Sequence, residues 1–171
     1  DEGIRLTTAE LLKDQAAPRS VYKNFVGMLI RGQRYEEAER WARIATDEYP
    51  QDFDLWNALG VSLRRLARYD DALKALDNCQ RIDPKNIAAL VNRGNIYNDT
   101  KDGIRGVDIF KKLVRLHPSN AEYQRNLGRS YWHCGDLAKA EMRLALATKL
   151  RPEYLDAWLD LTAVAGESKN A

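Results

Sequence analysis

Residues 53–86, FDLWNALGVSLRRLARYDDALKALDNCQRIDPKN, decide the fold. Trp56, Leu59, Gly60 and Leu63 recur at helical spacing and form one stripe; Ala72, Leu76 and Cys79 form a second. Gly60 and Ala72 are small where two helices must touch. Asp70 and Asp71 sit at the start of the second stripe, where a helix macrodipole favours acids. Pro84 lacks the N–H that would continue a helix, and Asn86 is a good N-cap for whatever follows. The segment predicts two antiparallel helices, a stop and a new start.

The same grammar extends outward in both directions. Pro50, Pro84, Pro118 and Pro152 lie 34 residues apart. Taking each proline as position 32 starts repeats at Arg19, Phe53, Ile87 and Ala121, with a partial fifth at Leu155. Position 4 then holds Tyr22, Trp56, Leu90, Gln124 and Trp158, and position 7 Phe25, Leu59, Arg93, Leu127 and Leu161. Position 8 holds Val26, Gly60, Gly94, Gly128 and Thr162, and position 20 Ala38, Ala72, Gly106 and Ala140. Position 34 supplies the N-caps Asp52, Asn86 and Asn120.

This register, W-x2-L-G-x2-Y followed by Ala, a large apolar residue and Pro, resembles the tetratricopeptide repeat over residues 19–165. The resemblance implies an all-α fold, a right-handed superhelical solenoid of antiparallel helix pairs. The expected divisions are a capping helix and lead-in (1–18), repeats at 19–52, 53–86, 87–120 and 121–154, and a partial fifth repeat or terminal cap (155–171). Thr7 and Glu10 have capping-box spacing, with Leu6 and Leu11 as a staple, so 7–16 is expected to be helical. Gly103 and Gly106 make the second helix of the third repeat the expected weak point, unless Gly106 permits closer helix contact. The apolar breadth of the last helix, and the opening Asp1, suggest a piece of a longer protein.

The 171 residues carry 27 basic and 25 acidic side chains, a net charge of +2. That balance gives no bulk argument for nucleic acid. No apolar run approaches a membrane span. Cys79 and Cys134 lack metal-type or redox-motif spacing, so a reducing, cytoplasmic setting is the default. No phosphate loop, zinc-protease motif or nucleophile elbow is present, and neither cofactor nor metal nor catalytic residue is expected. Asn98 opens an N-D-T sequon, relevant only in a secreted chain. The open apolar end predicts a monomer or an end-to-end dimer.

Residues 127–140, LGRSYWHCGDLAKA, have the look of a catalytic cluster. In the repeat register Tyr131 is a core position, Cys134 and Gly135 form the turn, Asp136 caps the next helix and Ala140 is the small position 20. Adjacent residues on a helix point about 100° apart, so His133 and Cys134 do not face each other. Trp132 stands outside this grammar. It either covers a crevice between helices or anchors a partner peptide.

In the family, first-helix positions 2, 5, 6, 9, 12 and 13 line the inner face. Here they provide Lys23, Asn24 and Arg31; Asn57, Arg64 and Arg65; Asn92 and Asn95; and Arg125, Asn126, Arg129, Trp132 and His133. Asparagines at position 6 resemble the asparagine ladder of O-linked N-acetylglucosamine transferases, although Ala58 and Asp160 break the column. Amides both donate and accept, so such a row suits an extended peptide backbone. The arginines suit carboxylates, diluted by Asp54, Asp99, Glu122, Asp156 and Asp160. The two-carboxylate clamp of co-chaperones does not fit. From the first repeat Gly27, Ala58, Ala88 and Asn92 miss it, from the second only Asn92 matches, and from the third Asp156 and Asp160 reverse the charge. The expected function is a non-catalytic scaffold binding an extended, acidic peptide segment. The alternative is a substrate-recruitment region of a larger enzyme such as a glycosyltransferase.

Overall fold

The computed structural model describes residues 18–169. It is all-α: nine helices and no strand among the described residues. First-type helices are α1 (Arg19–Arg31), α3 (Phe53–Arg65), α5 (Ile87–Asp99) and α7 (Ala121–His133), each 13 residues long. Second-type helices are α2 (Tyr35–Glu48), α4 (Tyr69–Ile82), α6 (Gly103–Leu116) and α8 (Leu137–Leu150), each of 14. The last is α9 (Leu155–Ser168). The chain forms two compact units, one up to Asn92 and one from Arg93, the boundary falling within α5. The capping helix expected at 7–16 lies outside the described residues.

Helix starts follow from local chemistry. The carboxylates or amides of Asp52, Asn86, Asp102, Asn120 and Asp136 accept from the N–H groups of Leu55, Ala88, Arg105, Tyr123 and Lys139 at 3.0–3.1 Å. Such a cap contributes about 1 kcal/mol by satisfying an orphan donor. Position 15 closes the turn inside each pair with a left-handed residue: Gln33 (φ 58°), Ala67 (φ 56°), Lys101 (φ 59°) and Gly135 (φ 76°). Only the fourth is a glycine; the other turns carry a steric cost of about 1 kcal/mol each.

In the first unit Tyr22, Phe25, Val26 and Leu29 of α1 are sealed with Ala38 and Ala42 of α2, and Leu55, Leu59 and Leu63 with Ala72, Leu76 and Cys79. In the second, Ile96, Phe110, Leu113, Leu127 and Leu144 are buried. α6 approaches α7 closely enough that a Cβ on Gly103 would lie 2.7 Å from the Ser130 carbonyl and Cys134 N. One on Gly106 would lie 2.6 Å from Ser130 Oγ. The two glycines are therefore the condition of a tight helix contact.

That contact encloses a polar network. Ser130 Oγ donates to Asn98 Oδ1 (2.7 Å), and Asn98 Nδ2 donates to the Asn126 carbonyl (3.0 Å). Asn98 is 1% exposed, its amide nitrogen engaged within this network. Among the described residues no helix is long and apolar enough to cross a membrane.

Candidate peptide-binding face

Neighbouring first-type helices are tied to one another by side chains at position 5. In the first unit Lys23 of α1 pairs with Asp54 of α3. Asn57 Oδ1 of α3 accepts from Asn92 Nδ2 of α5 at 2.8 Å. In the second unit Arg125 of α7 reaches α9, with Nε 2.6 Å from Asp160 Oδ2 and Nη1 3.3 Å from Asp156 Oδ2. Its guanidinium also meets the Tyr154 hydroxyl at 3.2 Å and lies 5.3 Å from that ring centre. Burial opposes the charge of Arg125, but the bonds to Tyr154 and Asp160 outweigh it and raise its pKa. These ties join residues 31 or 35 apart, one repeat minus three or plus one.

The remaining candidates are placed as follows. Asn24 and Arg65 are exposed, the Arg65 guanidinium 6.0 Å from the Tyr35 ring. Arg64 and Asn95 are half-buried, Arg64 with interactions of its own. Asn126 is 4% exposed, so its amide lies in the interior rather than on an open face. Arg129 is half-buried and forms no ion pair with any described residue. Trp132 donates from Nε1 to Glu167 Oε2 at 2.8 Å and stacks on His133, centroids 6.1 Å apart and planes 6° apart.

His133 sits against positive charge. Burial, then Arg129 and Lys101, lower its pKa below the usual imidazole range, against the pull of a hydrogen bond to the Asn98 backbone. Its Nε2 is occluded and has no hydrogen-bond partner. The neighbouring Cys134 thiol is pushed up, first by desolvation and then by Asp136 and Asp102. A raised thiol is a poor nucleophile. Tyr131 is buried and Asp136 caps α8, so the 127–140 cluster is held together by repeat geometry. No group of His, Cys, Asp and Glu among the described residues is arranged to hold a metal.

Sequence reasoning missed two devices. The ties along the first-helix faces were visible as complementary residues at the 31 and 35 spacings, but a stripe reading treats one helix at a time. The second device is at position 4. Trp56 Nε1 donates to the Pro50 carbonyl (2.9 Å), Gln124 Nε2 to that of Pro118 (2.7 Å) and Trp158 Nε1 to that of Pro152 (2.9 Å). A side-chain N–H six residues after the proline thus satisfies the proline carbonyl in the turn between helices.

Comparison with known proteins agrees with this architecture. A family model described as "Tetratricopeptide repeat" matches residues 29–102 and 105–154. The human Protein O-mannosyl-transferase TMTC3 is 31% identical over 142 residues, 80% of this chain and 15% of that protein. The Peroxisomal targeting signal receptor of Yarrowia lipolytica is 24% identical over 61% of this chain and 18% of its own length. This chain thus spans less than a fifth of the curated relatives it matches. Among solved structures, MamA from Desulfovibrio magneticus RS-1 superposes with a TM-score of 0.77 at 20% identity, covering 91% of this chain and 88% of that one. TTC0263, a thermophilic TPR protein of Thermus thermophilus, gives 0.75 at 16% identity, covering 95% and 88%. The chain belongs to the tetratricopeptide repeat family.

Proposed function

We propose that this chain is a non-catalytic protein-interaction module that receives an extended, acidic segment of a partner polypeptide on its first-type helices. One observation carries the reading. Lys23, Asn57, Asn92 and Arg125 are spent on ties between neighbouring helices, whereas Arg31, Arg65 and Arg129 pair with no described carboxylate. Cations left without counter-charge on the first-type helices of each unit favour carboxylate-bearing ligands. Trp132, already oriented by Glu167, offers flat apolar area beside Arg129 in sequence register. The test is a peptide array of acidic and neutral segments probed with the intact chain. Combined Arg31→Ala, Arg65→Ala and Arg129→Ala substitutions should weaken acidic spots by about tenfold. Unchanged binding by a variant with native helicity refutes the preference.

A second reading has its own support. The 31% identity to an O-mannosyl-transferase, over 80% of this chain but 15% of that protein, suits a repeat array that recruits substrate for a catalytic region elsewhere. If so, deleting residues 18–169 from the parent protein should raise KM for protein acceptors and spare transfer to water. An unaltered KM refutes it.

A further inference from the structure

The stripe that each complete repeat covers with its own second-type helix is bare on α9. Positions 8 and 11 are buried in all four complete repeats: Val26 and Leu29, Gly60 and Leu63, Gly94 and Tyr97, Gly128 and Tyr131. On α9 the same positions hold Thr162, exposed, and Ala165, half-buried. Ahead of them stand Leu155, 67% exposed, and Trp158, 46% exposed. The polar atoms of this stripe are already satisfied. Thr162 Oγ1 donates to the Trp158 carbonyl at 2.8 Å, and Trp158 Nε1 to that of Pro152 at 2.9 Å. A cover over the stripe therefore gains apolar burial and orphans neither donor.

The complete repeats show what kind of cover fits. Position 8 lies against position 24 of the following helix. A Cβ on Gly60, Gly94 or Gly128 would fall 2.7–3.0 Å from Leu76, Phe110 or Leu144. Three glycines thus make room for three large residues. The first repeat exchanges the sizes: it holds Val26 at position 8 and Ala42 at position 24, both 0% exposed. The seam takes one large and one small residue, supplied from either helix. Thr162 is branched at Cβ like Val26, its hydroxyl already spent within α9. A helix that completes α9 must then carry alanine at its own position 24, as α2 does, and not leucine, as α4 and α8 do.

We propose that the bare stripe of α9 docks an amphipathic helix of a partner polypeptide, one with alanines four residues apart in the manner of Ala38 and Ala42. Continuity with the seams of the complete repeats selects a helix, and the exchange of sizes selects its sequence. A second copy of this chain is a poor occupant. Its one helix with that alanine spacing among the described residues is α2, whose Ala38 and Ala42 are sealed in its own first unit.

The experiment uses the intact chain and a helix-constrained, rhodamine-labelled peptide, read by anisotropy. The peptide keeps Ala38, Trp41, Ala42 and Ala45 in their α2 spacing and carries glutamine at its outward positions. It brings no carboxylate to the first-helix arginines, so this site and the acidic-segment face can fail separately. The peptide should bind, and Ala42→Leu within it should weaken binding about tenfold by overpacking against Thr162. Thr162→Gly in the chain should reverse that order and favour the leucine peptide, while Trp158→Asp should abolish binding of both. Thr162 and Trp158 are exposed, and circular dichroism confirms native helicity. The two peptides on the unaltered chain test the size rule without any variant. No binding of the alanine peptide, equal affinity for the two, no reversal in Thr162→Gly, indifference to Trp158→Asp, or self-association of the chain that excludes the peptide would overturn the proposal.

Discussion

Replacing Asp160 with asparagine tests how the last helix is held. α9 buries only Ala157 and Val164 among its apolar side chains, little more than one full-sized core residue. Its polar ties are Asp160 and Asp156 to Arg125 and Glu167 to Trp132. The Arg125 and Asp160 side chains are 16% and 17% exposed, whereas Asp156 is 60% exposed. Removing one partner of a fully buried pair costs about 3–5 kcal/mol, because a charge is left without compensation. Here Asp156 and Tyr154 remain on Arg125 and water reaches the site, which brings the expected cost to about 2 kcal/mol. For a chain of this length that lowers Tm by roughly 4–8 °C if unfolding is concerted. If α9 opens alone, the loss appears as faster amide exchange confined to 155–168. The double variant Arg125→Met, Asp160→Leu should recover most of the loss, since an apolar pair carries no desolvation penalty. A single variant within 1 °C of the parent, or a double variant as unstable as the two singles added, refutes this account.

Four further outcomes follow. Gly106→Ala places a methyl 2.6 Å from Ser130 Oγ and should lower stability by about 1–3 kcal/mol. Gly166→Ala meets nothing within 4 Å and should raise it by up to about 1 kcal/mol; urea titration distinguishes the signs. Ala67→Gly relieves the left-handed turn at φ 56° and should stabilise by up to about 0.5 kcal/mol after the entropy of the freer unfolded chain is subtracted. The folded state lowers the His133 pKa from 6.5, so it prefers the neutral ring. Stability from this group is complete above 6.5 and falls as pH drops toward the depressed value. His133→Leu should flatten that part of a Tm-against-pH profile.

The helix pairs were legible because four prolines keep the 34-residue spacing and each repeat states its stripes separately. Capping residues were legible for the same reason: Asp52, Asn120 and Asp136 act within three residues of themselves. What one chain of letters hides is the third dimension of stacking. Arg125 and Asn126 are neighbours with similar polar chemistry, yet one is bound to two aspartates and the other is buried. Neither fate follows from its own helix; both follow from where the next helix lies. Gly103 and Gly106 give the same lesson. Propensity alone marks α6 as weak, while Ser130 and Cys134 across the interface show why a larger residue does not fit.

The indole bonds described above have a practical consequence. Both tryptophans of the second unit are moored by N–H at α9, Trp132 to Glu167 on it and Trp158 from it to Pro152. Release of that helix would break the Trp132 bond and bare its half-buried ring to water, shifting emission to the red without any attached dye, while Trp158 is already 46% exposed. The terminal segment thus carries a native optical gauge, and ligand, salt or acid that loosens it can be followed by its own light.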